Sequence, residues 1–102
     1  MSTALQDLAT VDRVIHEPAR LAIMTTLYAL EEADFLYLQR DCGLTQGNLS
    51  SHLARLEEAG HIKIEKTFKG KYPFTLCRLT RSGRTAFEEY AQRMRIVGSS
   101  IR

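Results

Sequence analysis

Apolar residues repeat with a helical period over most of the chain. Pro18 suits the first turn of a helix, and the pattern after it predicts a helix to about Glu31. One face of this helix contains Ile23, Leu27 and Leu30, and a second contains Leu21, Met24 and Tyr28. We therefore expect the helix to be buried on two sides, once by its own domain and once by another surface.

Two short helical segments follow, separated by a tight turn. Asp34 is an N-cap candidate for the first, and Gly43 is placed to end it, because glycine adopts the left-handed conformation without steric cost. Thr45 is the N-cap candidate for the second, predicted over residues 46–59 with Leu49, Leu53 and Leu56 on one face. Two short helices joined by about three residues that include a glycine predict a helix-turn-helix.

After Gly60 the period changes from helical to alternating. Ile62 and Ile64 alternate with polar residues, which predicts a half-buried strand, followed by a turn over residues 68–73 and a second strand over residues 74–79. The second strand is apolar on both faces, so its inward face stays open. Thr80 is placed to cap a last helix over residues 81–97, and residues 98–102 are expected to fray.

The fold class predicted from this order is mainly α with a small β-hairpin (α+β), a winged helix-turn-helix. A chain of 102 residues suits one domain, and 44% hydrophobic residues with 6 Gly and 2 Pro exclude disordered, collagen-like and repeat-array classes. The chain has no apolar run of about 18 residues and no basic start, so we expect no membrane association, no signal peptide and a cytoplasmic location.

The cysteines and histidines do not form a ligand pattern. Cys42 and Cys77 have no partner at zinc-site spacing, and His16, His52 and His61 are far apart in sequence. We expect no metal and no cofactor. The cysteines are interpreted as small buried hydrophobic residues, with a thiol redox switch as the alternative, and His52 as a packing or phosphate-contacting residue.

Charge is distributed unevenly, although the net charge is only +2. Residues 1–39 carry two basic and six acidic side chains, whereas residues 40–84 carry nine basic and four acidic ones. All the lysines lie in the hairpin segment: Lys63, Lys66, Lys69 and Lys71. This cluster favours a polyanionic partner, because each neutralised phosphate releases condensed counterions. The alternative interpretation is a merely solvated, charged hairpin.

Three stretches resemble the MarR/ArsR-like winged helix-turn-helix transcriptional regulators. HEPARLAI at residues 16–23 lies at the front, LTQGNLSSHLARLEEAGHI at residues 44–62 resembles the family's recognition helix and first wing strand, and LTRSGR at residues 79–84 resembles the wing exit. The resemblance covers about residues 12–95 and is closest to small single-domain regulators that lack a sensor domain. It implies a DNA-binding regulator of transcription.

The residues support DNA binding independently of that resemblance. The major groove of B-DNA, about 12 Å wide, admits one α-helix, and the outward face of the 46–59 helix is small and polar near its start. The residues expected to bind DNA here are Thr45, Gln46, Gly47, Asn48, Ser50, Ser51 and Arg55. Asn48 is suited to reading adenine, Gly47 to close backbone approach, and Arg55 to clamping the DNA backbone. Taken singly, a cap, a turn residue and a solvated side chain would explain Thr45, Gly47 and Asn48 equally well.

The hairpin extends the same predicted surface as a wing. Lys66, Lys69 and Lys71, with Gly70 at the tip, are expected to straddle the adjacent minor groove. Such contacts serve affinity and register more than the choice of sequence. Tyr72 and Pro73 are expected to stiffen the tip.

Surplus apolar surface predicts a homodimer. The N-terminal part (about residues 1–31) and the last helix (about residues 81–97) contain more apolar side chains than one small core can cover. The residues expected at the dimer interface are Leu5, Leu8, Val11, Ile15, Tyr90, Met94 and Val97. Two recognition helices would then lie about 34 Å apart and bind a near-palindromic operator.

The expected function is a homodimeric, sequence-specific DNA-binding regulator, most plainly a repressor. The alternative is a winged-helix protein–protein interaction module, but such a module would more often present aromatic or leucine anchors on this helix. No nucleophile elbow, phosphate loop or paired carboxylates point to an enzyme. A third interpretation places a small-molecule effector in the dimer crevice, and no residue indicates one.

Overall fold

The structure, a computed structural model, describes residues 4–101 without the side chains of residues 4, 5 and 7. It contains, in chain order, α1 (Ala4–Ala9), α2 (Pro18–Leu30), β1 (Glu32–Asp34), α3 (Phe35–Cys42), α4 (Gln46–Glu58), β2 (Ile62–Lys69), β3 (Tyr72–Leu79) and α5 (Arg81–Ser99). The predicted helix-turn-helix is α3 and α4, and the predicted hairpin is β2 and β3.

Side-chain caps fix the starts of the helices. The Asp34 carboxylate accepts a hydrogen bond from the N–H of Tyr37 at 2.7 Å, and the Thr45 hydroxyl accepts one from the N–H of Asn48 at 3.1 Å. Thr80 caps α5 in the same way. Pro18 is the first residue of α2, as predicted, and Gly43 ends α3 in the left-handed conformation at φ 65°. The helix boundaries therefore follow from local capping chemistry.

The sheet has three antiparallel strands in the order β1-β3-β2. The sequence did not indicate β1, which pairs with β3. The predicted turn over residues 68–73 is also wrong: β2 continues to Lys69, β3 begins at Tyr72, and the turn itself is Gly70 and Lys71. Gly70 has φ 66°, which fits a tight hairpin turn that requires glycine at its first central position.

The register of β3 settles its inward face. Cys77 lies opposite Ile64 and Leu79 lies opposite Ile62, and Cys77 and Ile62 are buried. Because opposite residues share a face, Thr75, Cys77 and Leu79 face the core. The interpretation of Cys77 as a small buried hydrophobic residue is confirmed, and Cys42 is partly buried.

The core includes several side chains that the sequence had suggested would be covered by a second copy. Met24, expected on an externally covered face, is fully buried by its own domain. Val11, Ile15 and Tyr90, expected at the dimer interface, are also buried inside the protomer. Periodicity identifies apolar faces but does not show which neighbour covers them. Of the other expected interface residues, Leu8, Met94 and Val97 are half-buried, and the Leu5 side chain lies outside the described residues.

Helix α5 extends beyond the predicted end to Ser99, so the expected fraying of Gly98 and Ser99 is wrong, and Arg102 lies outside the described residues. Helix α5 packs against α1, and we call this pair the α1–α5 arm. The molecule measures 57 × 25 × 20 Å and its radius of gyration is 15.1 Å. A compact domain of this length has a radius of gyration of about 13 Å. The molecule is therefore elongated.

Candidate nucleic-acid interface

Helix α4 presents one buried and one exposed face. Leu49, Leu53 and Leu56 are buried in the core. All the residues that the sequence predicted for DNA contact on this helix and its cap are exposed: Thr45, Gln46, Gly47, Asn48, Ser50, Ser51 and Arg55. All the predicted contacts of the helix are therefore accessible to a ligand.

The side chains on this surface are available to a ligand. Within the described chain, the side chains of Gln46, Asn48 and Ser51 form no hydrogen bond and Arg55 forms no ion pair. The Thr45 hydroxyl already accepts the N–H of Asn48, so its oxygen serves as a cap and its hydrogen remains to donate. A Cβ atom at Gly47 would meet no atom within 4 Å, so the protein itself does not require glycine there.

A polar link holds α4 against the start of α2. The Arg20 guanidinium donates from Nε to the carbonyl oxygen of Val14 at 2.6 Å, and its Nη1 lies 3.1 Å from Nδ1 of His52 on α4. The Nε2 atom of His52 lies 3.7 Å from Oε2 of Glu17. His52 is partly buried in this link, which bears out its interpretation as a packing residue, and the sequence did not reveal Arg20 or Glu17 as its partners.

Glu17 combines helix capping with this link. Its carboxylate accepts the N–H of Arg20 at 2.9 Å. Burial by itself raises the pKa of Glu17, but the N–H groups of Arg20 and Ala19 and the charges of His52 and Arg20 together lower the pKa below its usual value. The carboxylate therefore stays ionised at the N-terminus of α2, where the helix dipole favours a negative charge.

The other two histidines also link the segment between α1 and α2 to the rest of the fold. Nε2 of His61 lies 2.9 Å from Oδ2 of Asp12, and Nδ1 of His16 lies 2.8 Å from the Tyr90 hydroxyl. All three histidines of the chain thus contact residues 12–20 or lie among them. Over the described residues, no three His, Cys, Asp or Glu side chains are grouped as metal ligands would be.

The wing carries positive charge that the protein does not neutralise. Lys63, Lys66, Lys69 and Lys71 are exposed, and none forms an ion pair with a carboxylate of the described residues. The acidic residues of the sheet are engaged elsewhere, because Arg78 binds Glu65 at 2.9 Å and Glu32 at 3.2 Å. The wing lysines therefore remain free to attract an anion.

The hairpin register divides the wing into two faces. Lys66 and Phe68 lie on the face directed towards α4, with Ile62 and Ile64. Lys69 and Tyr72 lie on the opposite face, where the Lys69 ammonium is 5.7 Å from the centre of the Phe74 ring. Phe68 is 71% exposed and Tyr72 is 77% exposed. The predicted stiffening role of Tyr72 stays a prediction.

A groove of about 650 Å³ separates α4 from the wing. Its lining comprises Phe35, Gln46, Ser50, Leu53, Ala54, Glu57, Ile64, Lys66 and Thr75. At one end the Glu57 carboxylate accepts the N–H of Ile64 at 2.8 Å. The groove joins the exposed face of α4 to the wing, so the two predicted surfaces are continuous.

Residues 19–97 match the family model of a winged helix DNA-binding domain. The chain belongs to this family. The winged-helix chain is 38% identical over 79 residues to an uncharacterised protein of Methanocaldococcus jannaschii, a match that covers 76% of this chain and 85% of that protein.

Solved structures show the same fold. A transcriptional regulator homologue from Pyrococcus horikoshii superposes with a TM-score of 0.88 at 28% identity, over 96% of each chain. An ArsR family transcriptional regulator superposes with a TM-score of 0.58 at 18% identity, over 100% of each chain. The predicted winged helix-turn-helix fold, the resemblance to transcriptional regulators of this fold and the prediction of a DNA-binding regulator are confirmed.

Sequence reasoning missed one candidate contact of this winged-helix surface, Phe68. The shortened prediction for β2 placed Phe68 in a turn, whereas continuing the alternation of Ile62, Ile64 and Lys66 would have placed it on the α4-facing side. Among residues 4–101, no helix is both long enough and apolar enough to cross a membrane.

Proposed function

We propose that this winged-helix protein is a homodimeric, sequence-specific repressor that binds duplex DNA through α4 and the wing. The observation that carries the proposal is the continuous surface formed by the exposed polar face of α4 and the unpaired lysines Lys66, Lys69 and Lys71 of the wing. A repressor is the simplest regulator for such a surface, because occupying a promoter requires only binding.

Helix α4 is proposed to enter the major groove. The residues at its start are small or polar, and their side chains have no partner in the described protein. Asn48 is suited to a bidentate contact with adenine, and the open space at Gly47 would let the helix backbone approach the bases. Thr45, Gln46, Ser50 and Ser51 would position the helix, and Arg55 would clamp the DNA backbone.

The wing is proposed to bind beside the adjacent minor groove. Lys66, Lys69 and Lys71 surround the tight turn at Gly70 and carry no counter-charge from the described residues. Each phosphate contact would release condensed counterions, so the wing should contribute affinity that depends on salt and little on sequence.

A second copy of the chain is proposed to cover the α1–α5 arm. The arm leaves Leu8, Met94 and Val97 half-exposed, and Ile96 is 38% exposed. A twofold partner that covers these side chains would bury the apolar surface they expose. Two copies of α4 about 34 Å apart would fit successive major grooves of a near-palindromic operator.

Fluorescence anisotropy with labelled duplexes over a salt series tests the proposal. We expect tight binding at low salt and a loss of about a thousandfold or more between 50 and 200 mM salt, because several phosphates are contacted. Failure to bind any duplex at low salt would contradict the proposal and favour the protein-docking alternative.

Specificity is tested with Asn48→Ala. Against duplexes selected from a random pool, this variant should relax the preference at one base position by about tenfold, since a bidentate base contact contributes about 1–3 kcal/mol of discrimination. Equal weakening on all sequences would show that Asn48 does not read a base. Lys71→Ala is the control, because it should weaken all duplexes alike.

A further inference from the structure

The groove between α4 and the wing is bordered by a free strand edge. Since the sheet order is β1-β3-β2, β2 pairs on one side only and its other side faces α4. In an antiparallel strand the N–H groups of alternate residues point away from the partner strand. The N–H of Ile64 points this way, because it donates to the Glu57 carboxylate at 2.8 Å.

The next two outward N–H groups of this edge belong to Lys66 and Phe68. They follow Ile64 at two-residue intervals along an uninterrupted register, and neither has a hydrogen-bond partner in the described chain. At Ile64 the edge already binds an anionic oxygen, which belongs to the protein itself. Lys66 and Phe68 offer backbone donors of the same kind further along this edge.

The side chains at these positions supply two complementary contacts. Lys66 is exposed, lines the groove and has no carboxylate partner among the described residues. Phe68 is 71% exposed on the same face, about 7 Å further along the strand. An ammonium followed by an aromatic ring matches the alternation of phosphate and deoxyribose along one DNA strand.

We propose that this groove holds one sugar–phosphate strand of the duplex, with Lys66 binding a phosphate and Phe68 packing against the adjacent deoxyribose. The inference depends on the proposed DNA binding and adds to it a residue, Phe68, whose contribution is apolar. Lys66 donates from both its ammonium and its backbone N–H. Glu57 limits the inner end, because its negative charge would repel a further phosphate.

Three single variants test this arrangement by anisotropy over a salt series. Lys66→Met should lower the log–log salt slope by about 0.9, the value for one lost phosphate contact. Phe68→Ala should weaken binding by about tenfold at every salt concentration without changing the slope, because an apolar contact releases no counterions. Phe68→Leu should recover part of the loss.

The opposite face of the wing provides matched controls. Lys63→Met removes an exposed lysine, and Tyr72→Ala removes an equally exposed aromatic ring, both from the face that points away from the groove. Neither should reproduce the effect of its counterpart. Circular dichroism and thermal melting of each variant verify that the exposed substitutions leave the fold intact.

The outcomes separate this inference from the function on which it rests. If the unmodified protein binds duplex DNA with a steep salt slope but Phe68→Ala binds equally well, the strand is not held in this groove. An equal loss from Phe68→Ala and Tyr72→Ala would also overturn it, since both faces of the wing would then be equivalent. If the unmodified protein binds no duplex, both proposals are wrong.

Discussion

Gly83 in α5 packs directly against the carbonyl group of His61, which follows α4. A Cβ atom at residue 83 would overlap the His61 oxygen and lie 2.7 Å from its carbonyl carbon. The Thr80 hydroxyl binds both sides of this contact, donating to the His61 oxygen at 3.0 Å and accepting the N–H of Gly83 at 2.9 Å. The start of α5 is thereby fixed against the end of the proposed DNA-reading helix.

Gly83→Ala should therefore destabilise the protein, because the added methyl group meets backbone that has no room to move. We expect the free energy of unfolding to fall by roughly 1–3 kcal/mol, as is typical of overpacking. Urea denaturation measures the change. Gly98→Ala, on the same helix with no atom within 4 Å of the new Cβ, is the control, and an equal loss from both variants would contradict the explanation.

Gly47→Ala should separate stability from DNA binding. The new methyl group points into open space, and alanine favours the helix over glycine by up to about 1 kcal/mol, so the melting temperature should rise or stay unchanged. If the α4 backbone approaches the bases at this point, affinity for duplex DNA should nevertheless fall by tenfold or more. Unchanged affinity would place Gly47 outside the protein–DNA contact.

Val97→Lys should dissociate the proposed dimer, because it adds a charge to a half-buried position of the arm that lies outside the core. The molecular mass measured by sedimentation should fall from twice the chain mass of 11.6 kDa to the mass of one chain. Tight binding to a palindromic duplex should be lost with it. Gln92→Lys, about 140° around the same helix, is the control and should leave the dimer intact. A monomeric unmodified protein would contradict the dimer itself.

The two thiols should react at different rates. Burial raises the pKa of Cys77 to about 11, with smaller contributions from the charges of Glu57 and Asp34. Burial also raises the pKa of Cys42, which is only partly buried. A thiol-reactive dye at pH 8 should therefore label Cys42 in the folded protein and Cys77 only after unfolding. Equal labelling rates would mean that the sheet opens locally.

The same thiol should make stability depend on alkaline pH. Folding raises the pKa of Cys77 from 9.0 to about 11, so the folded state holds this proton more tightly than the unfolded state. Its contribution to stability is complete below pH 9 and is lost as the pH rises towards 11. Urea midpoints measured between pH 8 and 11 should fall less steeply for Cys77→Ala than for the unmodified protein.

Much of the fold was predictable from the capping residues and from the alternation of apolar and polar residues. Asp34, Thr45 and Thr80 act through hydrogen bonds to N–H groups three residues away, so their positions predict helix starts directly. The sequence did not predict β1, because this strand is three residues long and forms only by pairing with β3. Phe68 was assigned to the turn rather than to β2, because an aromatic residue close to a glycine is typical of a turn as well as of a strand.

The order of elements, the polar outward face of α4 and the concentration of lysine in the hairpin follow from the sequence, because each depends on residues close together in the chain. Only the packing of distant segments places Val11, Ile15 and Tyr90 in the core and Lys66 in one groove with α4, with Phe68 on the same face of the wing. An apolar or charged pattern defines a face, but which surface lies opposite depends on the packing of distant segments.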